Sequence, residues 1–81
     1  MPNSSDKCNA KVIFAKNLRR IRLEKKLTQE KLAELASLHP NYVSSVERAL
    51  RNISICNIER LALALGVTMS ELVADLDQQP E

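Results

Sequence analysis

Apolar residues recur at helical spacing in five short segments of this chain, and capping or helix-stopping residues separate the segments. In the first segment Phe14, Leu18 and Ile21 stand at positions i, i+4 and i+7, which places them on one stripe of a helix. Aromatic residues are almost absent, so the core must be built from Leu, Ile, Val and Ala, and such a core favours packed helices over a sheet. The pattern predicts an all-α fold of five short helices.

Residues that favour helix ends mark where these segments begin and stop. Hydroxyl side chains cap the first turn of a helix, proline is favoured at the first helical position, and glycine ends a helix. The expected boundaries are 11–25, Thr28 to Ala36, Pro40 to Arg48, Ser54 to Gly66, and Thr68 to Leu76. The last of these helices opens with the spacing of a capping box, Thr68 and Glu71.

Both ends of the chain are polar and lack helical periodicity. We therefore expect residues 1–10 to form a flexible leader, residues 11–76 to form one folded domain, and residues 77–81 to form a tail. The leader lacks the apolar stretch of a signal peptide, and no apolar run approaches the ~18 residues of a membrane span. The sequence predicts a soluble, cytoplasmic protein.

The chain lacks the residue combinations that enzymes and metal sites require. It has one histidine, His39, and its two cysteines, Cys8 and Cys56, do not have CxxC spacing. Clustered carboxylates and a glycine-rich phosphate loop are also missing from the sequence. We expect neither enzymatic activity nor a bound metal or cofactor.

Charge is divided unevenly along the chain. Residues 1–52 carry eleven Lys/Arg against five Asp/Glu, whereas residues 53–81 carry one Arg against five acids, so the net charge of +2 combines +6 with −4. A basic part joined to an acidic, apolar part indicates that one face meets a polyanion and another face meets a different partner. The alternative is that the basic residues of the first helix form a solvated face.

The segment TQEKLAELASLHPNYVSSVER has the pattern of two helices that cross at a steep angle. Such a pair needs small or apolar residues where the helices touch and outward side chains between them. The inward positions hold Leu32, Ala33, Ala36, Leu38, Val43 and Val46. Over residues 11–76 the sequence resembles the lambda-repressor-like (Xre-type) helix-turn-helix family, although serine stands at Ser37, where many relatives have glycine.

This resemblance implies a compact five-helix lambda-repressor-like DNA-binding domain with the helix-turn-helix at helices 2 and 3. It implies a sequence-specific transcriptional regulator whose third helix enters the major groove of double-stranded DNA. It also implies an ion pair between Arg22 and Glu47 that clamps the first helix to the third. Two solvated surface charges are the alternative to that pair.

The outward residues at the start of the third helix are the expected base contacts, because Val43 and Val46 face the core. They are His39, Pro40, Asn41, Ser44 and Ser45, and capping the helix is the alternative role for His39. Asn41 is the best reader, since its amide can accept from and donate to an adenine edge together. A solvated residue at the helix start is the alternative for Asn41.

Further DNA contacts are expected beside these readers. Gln29 stands at the N-terminus of the second helix, where backbone N–H groups and the helix dipole attract phosphate. Arg48, Arg51 and Asn52 follow the third helix and can hold phosphates or reach a base, with Arg51 the first choice. Tyr42 is expected in the core with its hydroxyl towards the backbone, and a phosphate contact is its secondary role.

The acidic half carries more apolar residues than one small core needs. We expect the surplus to form the two-fold interface of a homodimer: Leu63, Val67, Met69, Val73 and Leu76. A dimer places two recognition helices ~34 Å apart, which suits a palindromic operator. The alternative is that these residues close the monomer core around the first helix.

The stretch ERALRNISICNIERLALALGV narrows the resemblance. It is similar to the restriction–modification controller proteins, which carry Glu-Arg-Gly-x-Arg-Asn, with Ala49 here in the place of the glycine. That similarity implies a homodimer on paired palindromic sites upstream of its own gene, activating at one occupancy and repressing at a higher one, with RNA polymerase as a further partner. Prophage repressors and antitoxins are similar too, and a helical protein-interaction module without DNA reading is the alternative from another class.

Overall fold

The structure is a computed structural model, and it describes residues 8–76. This part of the chain contains five α-helices. Their bounds are α1 Asn9–Glu24, α2 Gln29–Ala36, α3 Pro40–Glu47, α4 Ile55–Leu65 and α5 Met69–Val73. The all-α, five-helix prediction is confirmed. The first helix starts at Asn9, so residues 9 and 10 of the expected leader are helical. Residues 1–7 of that leader and the tail at 77–81 lie outside the described residues.

One apolar core joins all five helices. Its largest fully buried side chains are Leu18, Leu32, Val43, Val46, Leu61 and Leu72. Each helix contributes at least one of them, and burying a side chain of this size stabilises a fold by about 1.5–3 kcal/mol. Helices of 5 to 16 residues are marginal in isolation, so each depends on this shared core.

The short helix α5 is held at both ends by polar groups. At its start the Thr68 hydroxyl accepts from the Glu71 N–H at 3.2 Å, and the Glu71 carboxylate accepts from the Thr68 N–H at 3.0 Å. These bonds lower the pKa of Glu71, the backbone bond from Thr68 first. At its end the buried Asn17 of α1 donates to the carbonyls of Leu72 and Ala74 at 2.9 and 2.8 Å. Asn17 thus attaches α5 to α1.

Helices α1 to α4 all end in the same left-handed turn. The residues with positive φ are Lys26, Ser37, Ala49 and Gly66, at 60° to 73°. After each of them the next N–H bonds to the carbonyl five residues earlier, as in Leu50 to Ser45 at 2.9 Å. Only Gly66 adopts this conformation without a penalty, because a side chain there costs roughly 1–2 kcal/mol.

The apolar residues expected at a dimer interface differ in how far the monomer buries them. Val67 and Met69 pack partly against the monomer core, which is the alternative role given above for the extra apolar residues. Leu63, Val73 and Leu76 are 75%, 52% and 55% exposed. α5 ends at Val73, one residue after the buried Leu72. Leu76 therefore lies beyond the helix, and the helical stripe that was expected to turn it inward does not extend that far.

Replacing Ala49 by glycine should stabilise the protein by about 0.5–1 kcal/mol. The change removes the left-handed penalty, and the larger freedom of glycine in the unfolded chain offsets part of the gain. Urea unfolding measures the difference. Ala64→Gly is the matched control, because Ala64 is also partly buried but lies within α4, where glycine costs about 1 kcal/mol. Equal destabilisation by both changes would contradict the strain at Ala49.

Candidate nucleic-acid interface

The two helices predicted to form the DNA-reading unit begin with side-chain caps. The Thr28 hydroxyl accepts from the Lys31 N–H at 3.0 Å and starts α2. Nδ1 of His39 accepts from the Asn41 N–H at 3.0 Å and starts α3, with Pro40 at its first position. His39, expected among the base contacts, thus has one ring nitrogen committed to the cap, and its other ring nitrogen remains available for contact.

The turn between α2 and α3 depends on a serine in the left-handed conformation. Ser37 has φ 60° and ψ 44°, and its N–H bonds to the Glu34 carbonyl at 3.2 Å. The Leu38 N–H then bonds to the Ala33 carbonyl at 2.8 Å, while Ala33 itself is fully buried. The small residue expected at the crossing of the two helices therefore lies where they meet.

The outer face of α3 presents fewer of the predicted readers than expected. Asn41 and Arg48 are exposed, and Pro40 and Ser44 are partly exposed. Ser45 is buried, at 8% exposure, which does not favour the contact with bases predicted for it. Its hydroxyl donates to the Tyr42 carbonyl at 2.9 Å, one turn earlier in the helix, and so turns away from the outer face.

Arg51 is held in a fixed position beside α3. Its Nε donates to the Ser45 hydroxyl at 2.9 Å, and its guanidinium carbon lies 5.4 Å from the centre of the Tyr42 ring. A cation over an aromatic face at this distance is attracted by the ring. Arg51 and its neighbour Asn52 are both exposed, so the guanidinium remains accessible to a ligand.

Tyr42 has the half-buried position expected for it, but its hydroxyl has a different partner. The hydroxyl accepts from the side-chain amide of Asn57 in α4 at 3.1 Å, where the prediction placed it towards the backbone. The ring packs on one side against the core. Asn57 was missed by the sequence analysis, since nothing local marks a contact across 15 residues.

The ion pair expected between α1 and α3 is present and largely buried. Nε of Arg22 donates to Oε2 of Glu47 at 2.7 Å and Nη2 donates to Oε1 at 2.9 Å, which is a bidentate arrangement. The side chains are 9% and 3% exposed, which excludes two solvated charges. The third nitrogen donates to the Leu27 carbonyl at 2.8 Å. The hydrogen bonds to Glu47 raise the pKa of Arg22.

Gln29 belongs to this network. Its side-chain amide donates to Oε1 of Glu47 at 3.0 Å, so one amide hydrogen expected to reach a phosphate is engaged inside the protein. The backbone N–H groups at the start of α2 are oriented outwards by the helix, and Thr28 caps only that of Lys31. The phosphate contact predicted at Gln29 thus rests mainly on the backbone.

Positive charge flanks the two-helix unit. The exposed cations near the start of α2 and the end of α3 are Lys25, Lys26, Lys31, Arg48 and Arg51. Lys31 is 3.6 Å from the Glu34 carboxylate in an exposed pair, which contributes little to stability. This distribution is the one expected for a surface that binds a polyanion.

The reactive side chains of residues 8–76 are not grouped as a metal site requires. Within residues 8–76 no group of His, Cys, Asp and Glu is placed to hold a metal ion. Cys8 and Cys56 are both free thiols and both are exposed. None of the helices between these limits is both long enough and apolar enough to traverse a bilayer.

Comparison with known proteins identifies the family. A helix-turn-helix family model matches residues 18–72, which is more than half of the chain. The chain belongs to the helix-turn-helix family. The resemblance to the lambda-repressor-like (Xre-type) members is confirmed by the same match and by the relatives. Within this family the chain is a DNA-binding transcriptional regulator and not an enzyme.

Several helix-turn-helix relatives are similar over most of their length. Control protein C.BamHI of Bacillus amyloliquefaciens is 44% identical over 66 residues, covering 80% of this chain and 82% of the relative. The structure of the restriction–modification controller protein C.AhdI from Aeromonas hydrophila is 47% identical, with a TM-score of 0.75, and covers 76% of this chain and 94% of that one. The hypothetical transcription factor NHTF from Neisseria has a TM-score of 0.81 at 38% identity, covering 95% of this chain and 85% of that one.

Removing one member of the buried ion pair should cost about 3–5 kcal/mol. Glu47→Ala leaves the Arg22 guanidinium buried without its carboxylate partner, and releases Gln29 as well. The double variant Arg22→Met, Glu47→Leu should be less destabilised than Glu47→Ala alone, because neither charge is then buried. Chemical unfolding of the variants measures both differences.

The exposed pair of Arg20 and Glu24 provides the control for this prediction. The two charges are 3.5 Å apart on α1 with side chains 44% and 60% exposed, so Glu24→Ala should change stability by less than about 0.5 kcal/mol. An equal loss in Glu47→Ala and Glu24→Ala would show that the buried pair does not clamp the helices.

Proposed function

We propose that this chain is the controller of a restriction–modification system, acting as a cytoplasmic homodimer on a palindromic operator upstream of its own gene. The observation that carries the proposal is the similarity to controllers C.BamHI and C.AhdI over four-fifths or more of each relative. The same similarity supports activation at one operator occupancy and repression at a higher one, with RNA polymerase as a partner.

The geometry of the two-helix unit supports a specific docking mode. In this mode the N-terminal end of α3 enters the major groove, and Asn41 pairs with a base through its amide. Pro40, Ser44 and the free edge of His39 line the same groove. The exposed Arg48, Arg51 and Asn52 follow α3 and contact phosphates, and the start of α2 binds another phosphate through its backbone.

The exposed apolar residues of the C-terminal half support a dimer. Leu63 is 75% exposed, and Val73 and Leu76 are more than half exposed, in a region of net negative charge that DNA would repel. Isologous contact between two copies would bury them. Val67 and Met69 contribute at the margin of this interface, because both pack partly on their own core.

Selection of bound sequences from a random duplex pool tests the function directly. The expected result is an inverted repeat with half-sites about 10 base pairs apart, and a match to it upstream of the gene. A reporter driven by that upstream region should rise at low protein levels and fall at high levels. Recovery of no motif, even at low salt, would leave the interaction module as the better hypothesis.

Two variants in the same selection separate base reading from backbone contact. Asn41→Ala should lose discrimination at one base position, by about 1–3 kcal/mol, with other positions unchanged. Arg51→Ala should weaken binding to all sites, and the slope of log affinity against log salt should fall by about one. If Asn41→Ala selects the parent motif unchanged, Asn41 is not a reader.

Dimerisation predicts a change in mass on substitution of Leu63. The parent should sediment at twice the monomer mass, and Leu63→Glu should weaken the dimer at least roughly ten-fold by placing a charge in an apolar interface. Leu35→Glu is the matched control, because Leu35 is another exposed leucine, at 49% against 75% for Leu63, but belongs to α2 and not to the proposed interface residues. Identical masses for the two variants at every concentration would contradict the assignment of Leu63.

A further inference from the structure

Tyr42 connects two parts of the molecule that the proposed function treats separately. Its hydroxyl contacts Asn57 in α4, and its ring lies under the guanidinium of Arg51, which follows α3. We propose that Asn57 is a positioning residue for Arg51, acting through the ring of Tyr42. The proposal rests on the proposed function in one respect, the assignment of Arg51 as a DNA contact.

The first contact on which the proposal depends joins α4 to the ring of Tyr42. Nδ2 of Asn57 lies 3.1 Å from the Tyr42 hydroxyl in a partly buried contact, so the far end of the ring has a fixed partner. The near end is part of α3, where the Tyr42 carbonyl accepts from Ser45 at 2.9 Å. The bond to the hydroxyl and the partial packing of the ring against the core together restrict the orientations that the ring face can adopt.

The second contact joins the ring of Tyr42 to Arg51. The guanidinium carbon of Arg51 is 5.4 Å from the centre of the ring, and Nε donates to Ser45 at 2.9 Å. These contacts use the face of the guanidinium and its inner nitrogen. Within residues 8–76 the structure shows no hydrogen bond from either terminal nitrogen, and the residue is exposed. The outer edge of the planar fork is therefore open to a phosphate or a base.

The benefit of such an arrangement is pre-organisation. A free arginine side chain samples many rotamers, and ordering it on binding reduces affinity. Here the rotamer is selected before DNA arrives, by a ring and a hydroxyl that do not themselves need to touch DNA. Loss of Asn57 would free the ring, and the arginine would then have to be ordered at the moment of binding.

A double-mutant cycle tests the proposal. Asn57→Ala should lower affinity for the selected operator by roughly three- to ten-fold in the parent background. In an Arg51→Ala background the same change should alter affinity by less than about two-fold, because no arginine remains to be positioned. Tyr42→Phe, which keeps the ring and removes the hydroxyl, should reproduce the effect of Asn57→Ala without adding to it. Cys56→Ser is the matched control on α4, since Cys56 is exposed and adjacent to Asn57.

Tyrosine emission supplies a readout that a loss of stability alone does not move. Tyr42 is the only tyrosine and the chain has no tryptophan, so the emission of the folded protein reports this ring. Asn57→Ala and Arg51→Ala should each change the quantum yield of the free, folded protein, and Cys56→Ser should leave it unchanged. Circular dichroism of the same samples establishes that each variant is folded.

The outcomes distinguish the proposal from its premise. If Arg51→Ala binds the operator as the parent does, the assignment of Arg51 as a DNA contact is wrong and the positioning role is overturned with it. The positioning role alone is overturned by either of two results, provided that Arg51→Ala weakens binding. In one, Asn57→Ala lowers affinity equally in the parent and in the Arg51→Ala protein. In the other, Asn57→Ala changes affinity no more than the control Cys56→Ser does. Non-additive losses with altered emission support it.

Discussion

The bidentate ion pair between Arg22 and Glu47 is the interaction on which the arrangement of the DNA-binding helices depends. Burying two charges costs several kcal/mol per ion unless their remaining donors and acceptors are satisfied. Here they are, because Arg22 also donates to the Leu27 carbonyl and Glu47 also accepts from Gln29. One network thus connects α1, the turn after it, the start of α2 and the end of α3. The ion pair therefore adds a polar attachment of α3 to α1 beside the apolar packing of the core.

Local signals in the sequence predicted most of the fold. Thr28, Ser54 and Thr68 each cap a helix through contacts within three residues, so their effect is independent of the rest of the chain. The start of α1 was misplaced because its cap position, Cys8, makes no side-chain bond and therefore leaves no pattern. The resemblance to the helix-turn-helix family supplied the prediction of the Arg22 and Glu47 pair, which spacing alone could not have shown.

The candidate site was less predictable because its side chains are placed by distant partners. Ser45 lies beside the inward positions of α3, and its burial is completed by Arg51, which follows after a change of chain direction. The partner of the Tyr42 hydroxyl comes from α4, and Gln29 turns inward only because Glu47 offers a carboxylate. Periodicity identifies which face of a helix is apolar. It does not identify which polar residues, at the boundary between the apolar and the exposed face, are buried by contacts with other parts of the protein.

The left-handed residues at the helix ends bear on how long each copy of the protein persists. Lys26, Ser37 and Ala49 occupy positions that glycine would fill without strain, and the net cost of about 0.5–1 kcal/mol at each raises the fraction of unfolded molecules by roughly two- to five-fold relative to glycine. Proteases act on that unfolded fraction, so a chain with three strained turns is exposed to faster degradation than its glycine-containing counterpart. The left-handed turns therefore narrow the margin in free energy between the folded regulator and the unfolded, protease-sensitive state.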